Sequence, residues 1–192
     1  MKCLFCYDRD NRGIRNTNDR KKVFYLSKKA LVVYFTWTNG NTERIAKVLQ
    51  QALRADILKI TAPDDYYEDY DTVVRKSQEE IRRGYRPRVE PAKVDLSGYD
   101  TIAIGSPIWW YTIAPPMSTF LEANDFAGKT VVPFATNGGW PGHALKDIEK
   151  ACKGADFVPG LAVQFDSTGG SQLVSSQDEI CSWSQTVVKA VR

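Results

Sequence analysis

The fold is decided by the stretch ALVVYFTWTNGNT, residues 30–42, which passes from an apolar run through a polar loop into an amphipathic pattern. Residues 30–35 are continuously apolar and rich in β-branched and aromatic side chains, which is typical of a strand buried on both faces of a parallel sheet. Beyond the loop, apolar side chains recur at the spacing of one helix face, at Ile45, Val48, Leu49 and Leu53. The stretch therefore predicts a strand, a loop and a helix, the repeating unit of an α/β protein.

The same alternation continues to the end of the chain. Further strands are predicted at 56–60, 101–105, 130–135 and within 157–165, and further helices at 73–83, 116–122, 143–153 and 177–191. Five strands that alternate with helices form a parallel sheet covered on both faces, because each connecting helix packs back onto the sheet. We therefore predict an α/β fold, a three-layer α/β/α sandwich, over residues 30–192.

Residues 1–29 differ from the rest of the 192-residue chain in charge. They carry a net charge of +6 and no apolar pattern before residues 23–26, whereas residues 30–192 carry −3. We expect a basic, partly flexible arm that ends in a short extra strand at 23–26. The domain lacks the basic stripe of a nucleic-acid-binding protein, and the sequence lacks a run of about 18 apolar residues. Neither a nucleic acid nor a membrane is therefore an expected partner.

The cysteine content and the first residues favour a cytoplasmic protein. Four cysteines are too few for a disulfide scaffold, and charged residues follow Cys6 where a secretory signal would be apolar. Cys3 and Cys6 form an isolated C-x-x-C pair, which is either a redox pair, half a zinc site or neither. We predict no metal site, because a second such pair is absent and the single histidine, His143, is distant in sequence.

Three loops follow predicted strands at the carboxyl ends, where parallel sheets bind their ligands. The loop 36–42 is rich in hydroxyl and amide side chains, contains Gly40 and leads directly into a helix. It has no lysine and no Walker pattern, so helix N–H groups and neutral donors that bind a phosphate monoester are the favoured interpretation. The alternative is a tight turn in which Asn41 or Thr42 caps the helix.

The other two loops are aromatic and glycine-rich. The loop GSPIWWYT, residues 105–112, places two tryptophans and a tyrosine past a buried strand, where they can stack on a planar ligand. The loop TNGGWPG, residues 136–142, has three glycines that let backbone N–H groups approach the edge of such a ligand. The alternatives are tryptophans that pack in the core or in an interface, and a loop that is only a flexible turn.

Together these motifs resemble the flavodoxin family over residues 30–192. The family's phosphate signature is similar to S/T-x-T-G-N-T, found here within residues 36–42, and the G-S-P-I-W-W sequence resembles one flavodoxin-like group. The resemblance implies a sheet order of 2-1-3-4-5, and the short stretch after the last strand, 166–176, implies the short-chain form. It also implies that FMN is the cofactor, with its phosphate on the first loop and its isoalloxazine between the second and third.

The cofactor-binding residues implied by the resemblance lie in these three loops. They are Thr36, Trp37, Thr38, Asn39, Gly40, Asn41 and Thr42 in the first, Pro107, Ile108, Trp109, Trp110 and Tyr111 in the second, and Thr136, Asn137, Gly138, Gly139, Trp140 and Gly142 in the third.

The sequence departs from the family pattern at two positions. Asn39 is an extra residue before Gly40, which predicts a bulge in the phosphate loop. Alignment places Trp109 at the stacking position and Trp110 where flavodoxins often have a glycine whose peptide turns toward the flavin. Because a bulky residue resists positive φ, we expect less stabilisation of the half-reduced flavin than in those proteins.

The remaining chemical groups have ordinary interpretations. His143, at the start of a predicted helix near the expected flavin edge, is either a proton donor or an exposed first-turn residue. The acidic, tyrosine-rich stretch 64–71 either docks a basic partner or caps the next helix, and we favour the latter. Cys152 and Cys181 are predicted as small core residues.

The expected function is electron transfer through bound FMN, with redox partner proteins or small electron acceptors as partners. The alternative is an NAD(P)H-dependent FMN oxidoreductase that acts on quinones or similar acceptors. The domain charge of −3 is less acidic than in most carriers of the family, whereas no nicotinamide-binding signature is present. No catalytic residue is assigned in either case.

Overall fold

The computed structural model describes residues 29–37, 39–63, 66 and 69–191. Residues 1–28 of the predicted arm 1–29, with its extra strand 23–26, Cys3 and Cys6, lie outside the described residues, as do Thr38 and residues 64, 65, 67 and 68 of the acidic stretch 64–71. The predictions for the arm, for its two cysteines and for Thr38 remain untested.

The chain forms one mainly parallel sheet whose order confirms the expectation. Its strands are β1 (Ala30–Phe35), β2 (Asp56–Ile60), β3 (Thr101–Trp109), β4 (Thr112–Ile113), β5 (Thr130–Asn137), β6 (Asp156–Phe157) and β7 (Leu161–Gln164). The order is β2-β1-β3-β5-β6, and β7 pairs with the later part of β5. The fifth predicted strand is thus present as two short segments, β6 and β7, on the same neighbour.

Helices cover both faces of the sheet and confirm the three-layer sandwich. They are α1 (Asn41–Leu53), α2 (Tyr70–Arg83), α3 (Pro115–Ala123), α4 (Ala144–Ala151) and α5 (Gln177–Val191). One core cluster joins the sheet to α3 and α4 through Phe35, Ile104, Met117, Phe120 and Ile148. The other joins it to α1 and α5 through Val32, Ile45, Leu49, Trp183 and Val187. Successive side chains of a strand such as β1 belong alternately to the first and the second cluster. Because both faces of these strands are buried, the strands are apolar throughout.

The structure differs from the sequence prediction at several element ends. Helix α2 begins at Tyr70 instead of 73, because the Asp69 side chain accepts a hydrogen bond from the Thr72 N–H and caps it. Helix α4 is shorter than 143–153, with His143 as its N-cap residue. Strand β3 continues to Trp109 and turns back into β4, a hairpin that was not predicted.

The described residues contain neither a membrane-spanning helix nor a cluster of metal-ligating side chains. None of the helices in this part of the chain is both long and apolar enough to cross a bilayer. Within the same residues, no group of three or more His, Cys, Asp or Glu side chains is placed to hold a metal ion.

Candidate functional site

A cavity of about 310 Å³ lies at the carboxyl ends of the central strands. The loops that follow β1, β3, β5 and β7 line it, and helix α2 closes one side. This is the crevice where the direction of strand order reverses, the position at which open α/β sheets bind ligands.

The structure brings most of the predicted site residues together around this cavity. The lining includes Trp37, Asn39, Asn41, Thr42, Pro107, Ile108, Trp109, Trp110, Tyr111, Thr136, Asn137, Gly138 and Trp140. Four predicted residues, Thr36, Gly40, Gly139 and Gly142, belong to the same loops but are not part of the wall. Thr38 lies outside the described residues.

The N-cap residue of α1, in the first loop, supplies no capping side chain, and the Asn39 Oδ1 accepts a long hydrogen bond, 3.4 Å, from the Asn41 N–H. The N-cap residue is Gly40, at φ 71°, and neither Asn41 nor Thr42 caps the helix, contrary to the alternative weighed from the sequence. Thr42 is buried, and its hydroxyl instead pairs with the Thr136 hydroxyl at 2.8 Å. The Thr36 hydroxyl is buried without a hydrogen-bond partner in the described structure. The loop therefore has donor capacity that protein groups do not use, as an anion site requires.

The extra residue, Asn39, ties this loop to the segment that follows β7. Its side-chain amide donates to the carbonyl of Gly169 at 2.5 Å, and the Asn41 amide donates to that of Gly170 at 2.8 Å. The insertion predicted as a bulge is thus a bridge between two loops that are 130 residues apart.

Asp166 organises that second segment, which the sequence analysis did not assign to the site. Its carboxylate accepts hydrogen bonds from the Thr168 hydroxyl and from the N–H groups of Thr168, Gly170 and Gln172. These hydrogen bonds lower the pKa of Asp166 to about 2, and the one from the Thr168 side chain has the largest effect. Phe165, Asp166, Ser167, Gly169 and Gly170 all line the cavity. The signal in the sequence was the polar DSTGG stretch directly after a strand.

Trp109 forms the inner part of the aromatic wall and is half-buried. Its ring is parallel to that of Tyr66, with centroids 6.2 Å apart, and meets Phe35 edge to face at 5.8 Å. Trp109 thus combines the two sequence interpretations, since it packs on the core and also lines the cavity.

Trp110 and Tyr111 contradict the expectation that bulky residues resist positive φ in this loop. Their φ angles are 48° and 67°. The reason is the hairpin: Trp109 pairs with Thr112, so only two residues connect β3 to β4, and such turns favour left-handed conformations at both positions. Trp110 is 40% exposed, and its indole N–H donates to the Val74 carbonyl of α2 at 2.8 Å.

Helix α2 supplies wall residues that local sequence patterns could not assign. Val73, Val74 and Ser77 line the cavity opposite the loops. Trp140, from the third loop, is 61% exposed at the same cavity. Gly139 donates its N–H to the Asn137 side chain at 2.7 Å and so shapes the third loop from behind the wall.

His143, Cys152 and Cys181 lie outside the cavity wall. His143 contacts Asp147 through Nδ1 and does not line the cavity. Cys152 is fully buried, and burial raises the pKa of its thiol to about 12, in agreement with a core role. Cys181 is partly buried on α5.

Sheet order, layers and cavity position together define a doubly wound α/β protein with a cavity at the β1–β3 switch point. Comparison of the sequence with known families then identifies the family. The flavodoxin family model matches residues 29–185, and the chain belongs to the flavodoxin family.

Known proteins that resemble the chain include flavoproteins and a flavodoxin. A candidate flavoprotein of Bacteroides uniformis is 32% identical, with 82% of this chain and 98% of that chain aligned and a TM-score of 0.67. A flavoprotein of Lactobacillus acidophilus in complex with FMN shares the fold at 22% identity, covering 70% of this chain and 92% of that one, with a TM-score of 0.60. Flavodoxin 1 of Salmonella typhimurium is 30% identical over 106 residues, 53% of this chain and 46% of that relative. The match therefore spans about half the length of this curated relative.

Proposed function

We propose that this protein binds FMN in the cavity and transfers electrons through the bound flavin. The observation that carries the proposal is that one cavity joins an uncapped helix N-terminus to a wall of tryptophan and tyrosine side chains. An FMN molecule has the matching parts, a phosphate at one end and a planar ring system at the other.

The phosphate end would be held by neutral donors. Among the described residues that line the cavity there is no lysine or arginine. The N–H groups in the first turn of α1 and the buried Thr36 hydroxyl are the available donors. The Asn41 and Thr42 side chains also line the cavity, but they already bond to the Gly170 carbonyl and to the Thr136 hydroxyl. The positive end of the helix dipole favours the dianionic phosphate even without a cationic side chain.

The ring end would be held by aromatic side chains and backbone. Trp109 presents a half-buried ring, and Trp140 and Tyr111 stand at the mouth of the cavity. These groups orient a planar ring and keep water from its faces. The bound flavin supplies the one- and two-electron redox chemistry, and the protein's part is to position it and to tune its potential.

The comparisons support this proposal. The Lactobacillus acidophilus flavoprotein, which has the same fold, is in complex with FMN, and the Salmonella typhimurium relative is a flavodoxin. We extend the electron-transfer role of such proteins to this chain and propose redox partner proteins as its partners.

A second candidate function is reduction of a small planar acceptor, such as a quinone, at the expense of NAD(P)H. The observation that favours it is the exposure of Trp110, Tyr111 and Trp140, which are 40%, 53% and 61% exposed at one cavity mouth. Exposed aromatic faces can stack on a planar acceptor as well as on a flavin.

The first experiment is titration of the flavin-free protein with FMN and with riboflavin, followed by absorption and fluorescence. We expect an oxidised-flavin spectrum and at least tenfold tighter binding of FMN, about 1.4 kcal/mol, because riboflavin lacks the phosphate. Equal affinities would contradict the phosphate assignment, and no binding of either would contradict the cofactor.

The two roles are separated by a kinetic experiment on the FMN-loaded protein. NAD(P)H oxidation is followed in the presence of a quinone and without added reductase. Turnover under these conditions would favour the oxidoreductase, whereas reduction only after addition of a flavoprotein reductase would favour the carrier.

A further inference from the structure

The hairpin between β3 and β4 contains two consecutive side chains in the left-handed region, Trp110 and Tyr111. Turns of this kind are usually Asn-Gly or Asp-Gly, because a Cβ atom makes the left-handed conformation costly. Of the non-glycine residues with positive φ in the described structure, the only other is Arg54, at the end of α1. Within the described part of the chain, two of the three left-handed non-glycine residues thus lie together at the cavity. Strained backbone of this kind persists only where surrounding contacts hold it.

Helix α4 and the residue before it supply those contacts on one side of the turn. The His143 N–H donates to the Tyr111 carbonyl at 2.8 Å. Gly142 lies so close that a Cβ placed there would be 2.2 Å from the Tyr111 carbonyl oxygen. This approach therefore requires a glycine at position 142.

Asp147 holds the base of the hairpin and the start of α4 together. Its Oδ2 accepts a hydrogen bond from the Thr112 hydroxyl at 2.5 Å and contacts His143 Nδ1 at the same distance. The Asp147 side chain is 19% exposed, and Lys150 is 4.0 Å from its other oxygen. The partly buried Asp147 carboxylate thus joins Thr112, the first residue of β4, to His143, whose N–H binds the Tyr111 carbonyl.

Helix α2 holds the opposite side, through the bond from the Trp110 indole to the Val74 carbonyl. The turn is therefore fixed from two helices that are distant in sequence. We propose that Gly142, His143, Asp147 and Thr112 form a brace that keeps the Trp110–Tyr111 turn left-handed, and that this brace sets the reduction potentials of the bound cofactor. This inference rests on the proposed FMN site.

The physical reason is that both residues of the turn, Trp110 and Tyr111, line the cavity. A peptide that is already held in one orientation presents the same dipole to every redox state of the cofactor, whereas a freed peptide can turn to suit each state. Thr112 and Asp147 do not line the cavity themselves, so they act as positioning residues through Trp110 and Tyr111.

The test compares Thr112→Val, which keeps the shape and removes the hydroxyl, with Thr112→Ser, which keeps the hydroxyl. In the flavin-free protein, NMR measures hydrogen exchange at the Trp110 indole N–H and at the His143 amide. We expect exchange at both sites to be at least tenfold faster in Thr112→Val and close to the unaltered protein in Thr112→Ser.

In the FMN-loaded protein the same pair is compared by potentiometry. We expect Thr112→Val to change the relative affinity for the oxidised and one-electron-reduced cofactor about tenfold, which corresponds to about 59 mV in the first potential. Asp147→Asn is the second variant, and it should act in the same direction. Asp178→Asn, which removes a first-turn acid from α5, is the control for the loss of a charge at a helix start and should leave the potentials unchanged.

The outcomes separate the brace from the cofactor. Unchanged exchange in Thr112→Val and Asp147→Asn would overturn the brace, and faster exchange with unchanged potentials would overturn its link to the cofactor. If the unaltered protein failed to bind FMN, the proposed function would fall, while the exchange experiment would still decide whether the brace holds the turn.

Discussion

Gly40 begins helix α1 in the left-handed region, with open space where a Cβ atom would stand. A β-branched residue at φ 71° is strained, so Gly40→Val should distort the phosphate loop. We expect FMN to bind at least tenfold more weakly, a loss of about 1.4 kcal/mol, as measured by titration of the flavin-free protein.

Gly128→Val is the matched control, because Gly128 has φ 72° and equally open surroundings but lies between α3 and β5, outside the loops that form the cavity. It should lower stability to a similar degree and leave FMN affinity unchanged. A similar loss of affinity in both variants would mean that the effect at Gly40 is one of general stability.

Trp109 is the residue that we expect to lie against the isoalloxazine. Stacking on an electron-rich indole favours the neutral, oxidised ring over the fully reduced, anionic one. Trp109→Ala should therefore weaken binding of oxidised FMN more than that of reduced FMN and raise the second reduction potential, by about 59 mV for each tenfold difference.

The comparison variant is Trp110→Ala. The Trp110 side chain is more exposed than that of Trp109, and its indole N–H bonds to the Val74 carbonyl of α2. We expect a smaller loss of FMN affinity from it. If Trp110→Ala abolished binding while Trp109→Ala did not, the two tryptophans would have exchanged the roles assigned to them.

The strands pack so closely at the centre of the sheet that one added methyl group should lower the stability of the fold. A Cβ on Gly105, in β3, would lie 2.1 Å from the ring of Phe134 in β5. We expect Gly105→Ala to reduce the free energy of unfolding by about 1–3 kcal/mol, the usual cost of overpacking, in urea titrations. Gly98→Ala, where a Cβ meets nothing within 4 Å, should change it little.

The loop after β7 depends on the charge of Asp166. Hydrogen bonds lower the pKa of Asp166 from its ordinary value of 3.8 to about 2. The charged carboxylate therefore stabilises the loop fully at pH values above 3.8, and this stabilisation is lost as the pH falls toward 2. We therefore expect exchange at the Gly170 and Gln172 amides, corrected for the intrinsic effect of pH, to accelerate between about pH 4 and pH 2.

Asp166→Asn should weaken FMN binding already at pH 7, because the amide that replaces Oδ2 cannot accept the Gln172 N–H. Asp95→Asn is the control. Asp95 is an exposed aspartate whose pKa is also lowered by hydrogen bonds from a loop residue, Ser97, and it does not line the cavity. Equal loss of FMN affinity in the two variants would contradict the role of the Asp166 loop.

At the scale of the whole molecule, the basic arm should be dispensable. Lys29 already belongs to the described fold, since its carbonyl accepts hydrogen bonds from the N–H groups of Asp100 and Thr101 at the start of β3. A chain that starts at Lys28 should fold with the same urea midpoint and bind FMN with the same affinity as the full chain. Failure to fold or to bind would show that residues 23–26 belong to the sheet or the core.

The order of the strands and the placement of the three loops could be predicted from the sequence. A strand that is buried on both faces, such as 30–35, has a continuous apolar sequence, and each loop follows its strand directly. The family resemblance then supplied the sheet order, which the observed pairing of β1 with both β2 and β3 confirms.

What only the tertiary structure decided are contacts between segments that are distant in sequence. Asn39 bonds to Gly169, Trp110 bonds to Val74, and Thr112 bonds to Asp147 across 130, 36 and 35 residues. Local patterns report which face of an element is buried, but not which neighbour a polar side chain reaches. The left-handed turn at Trp110 and Tyr111 is of the same kind, because its strain is tolerated only where contacts from α2 and α4 hold it.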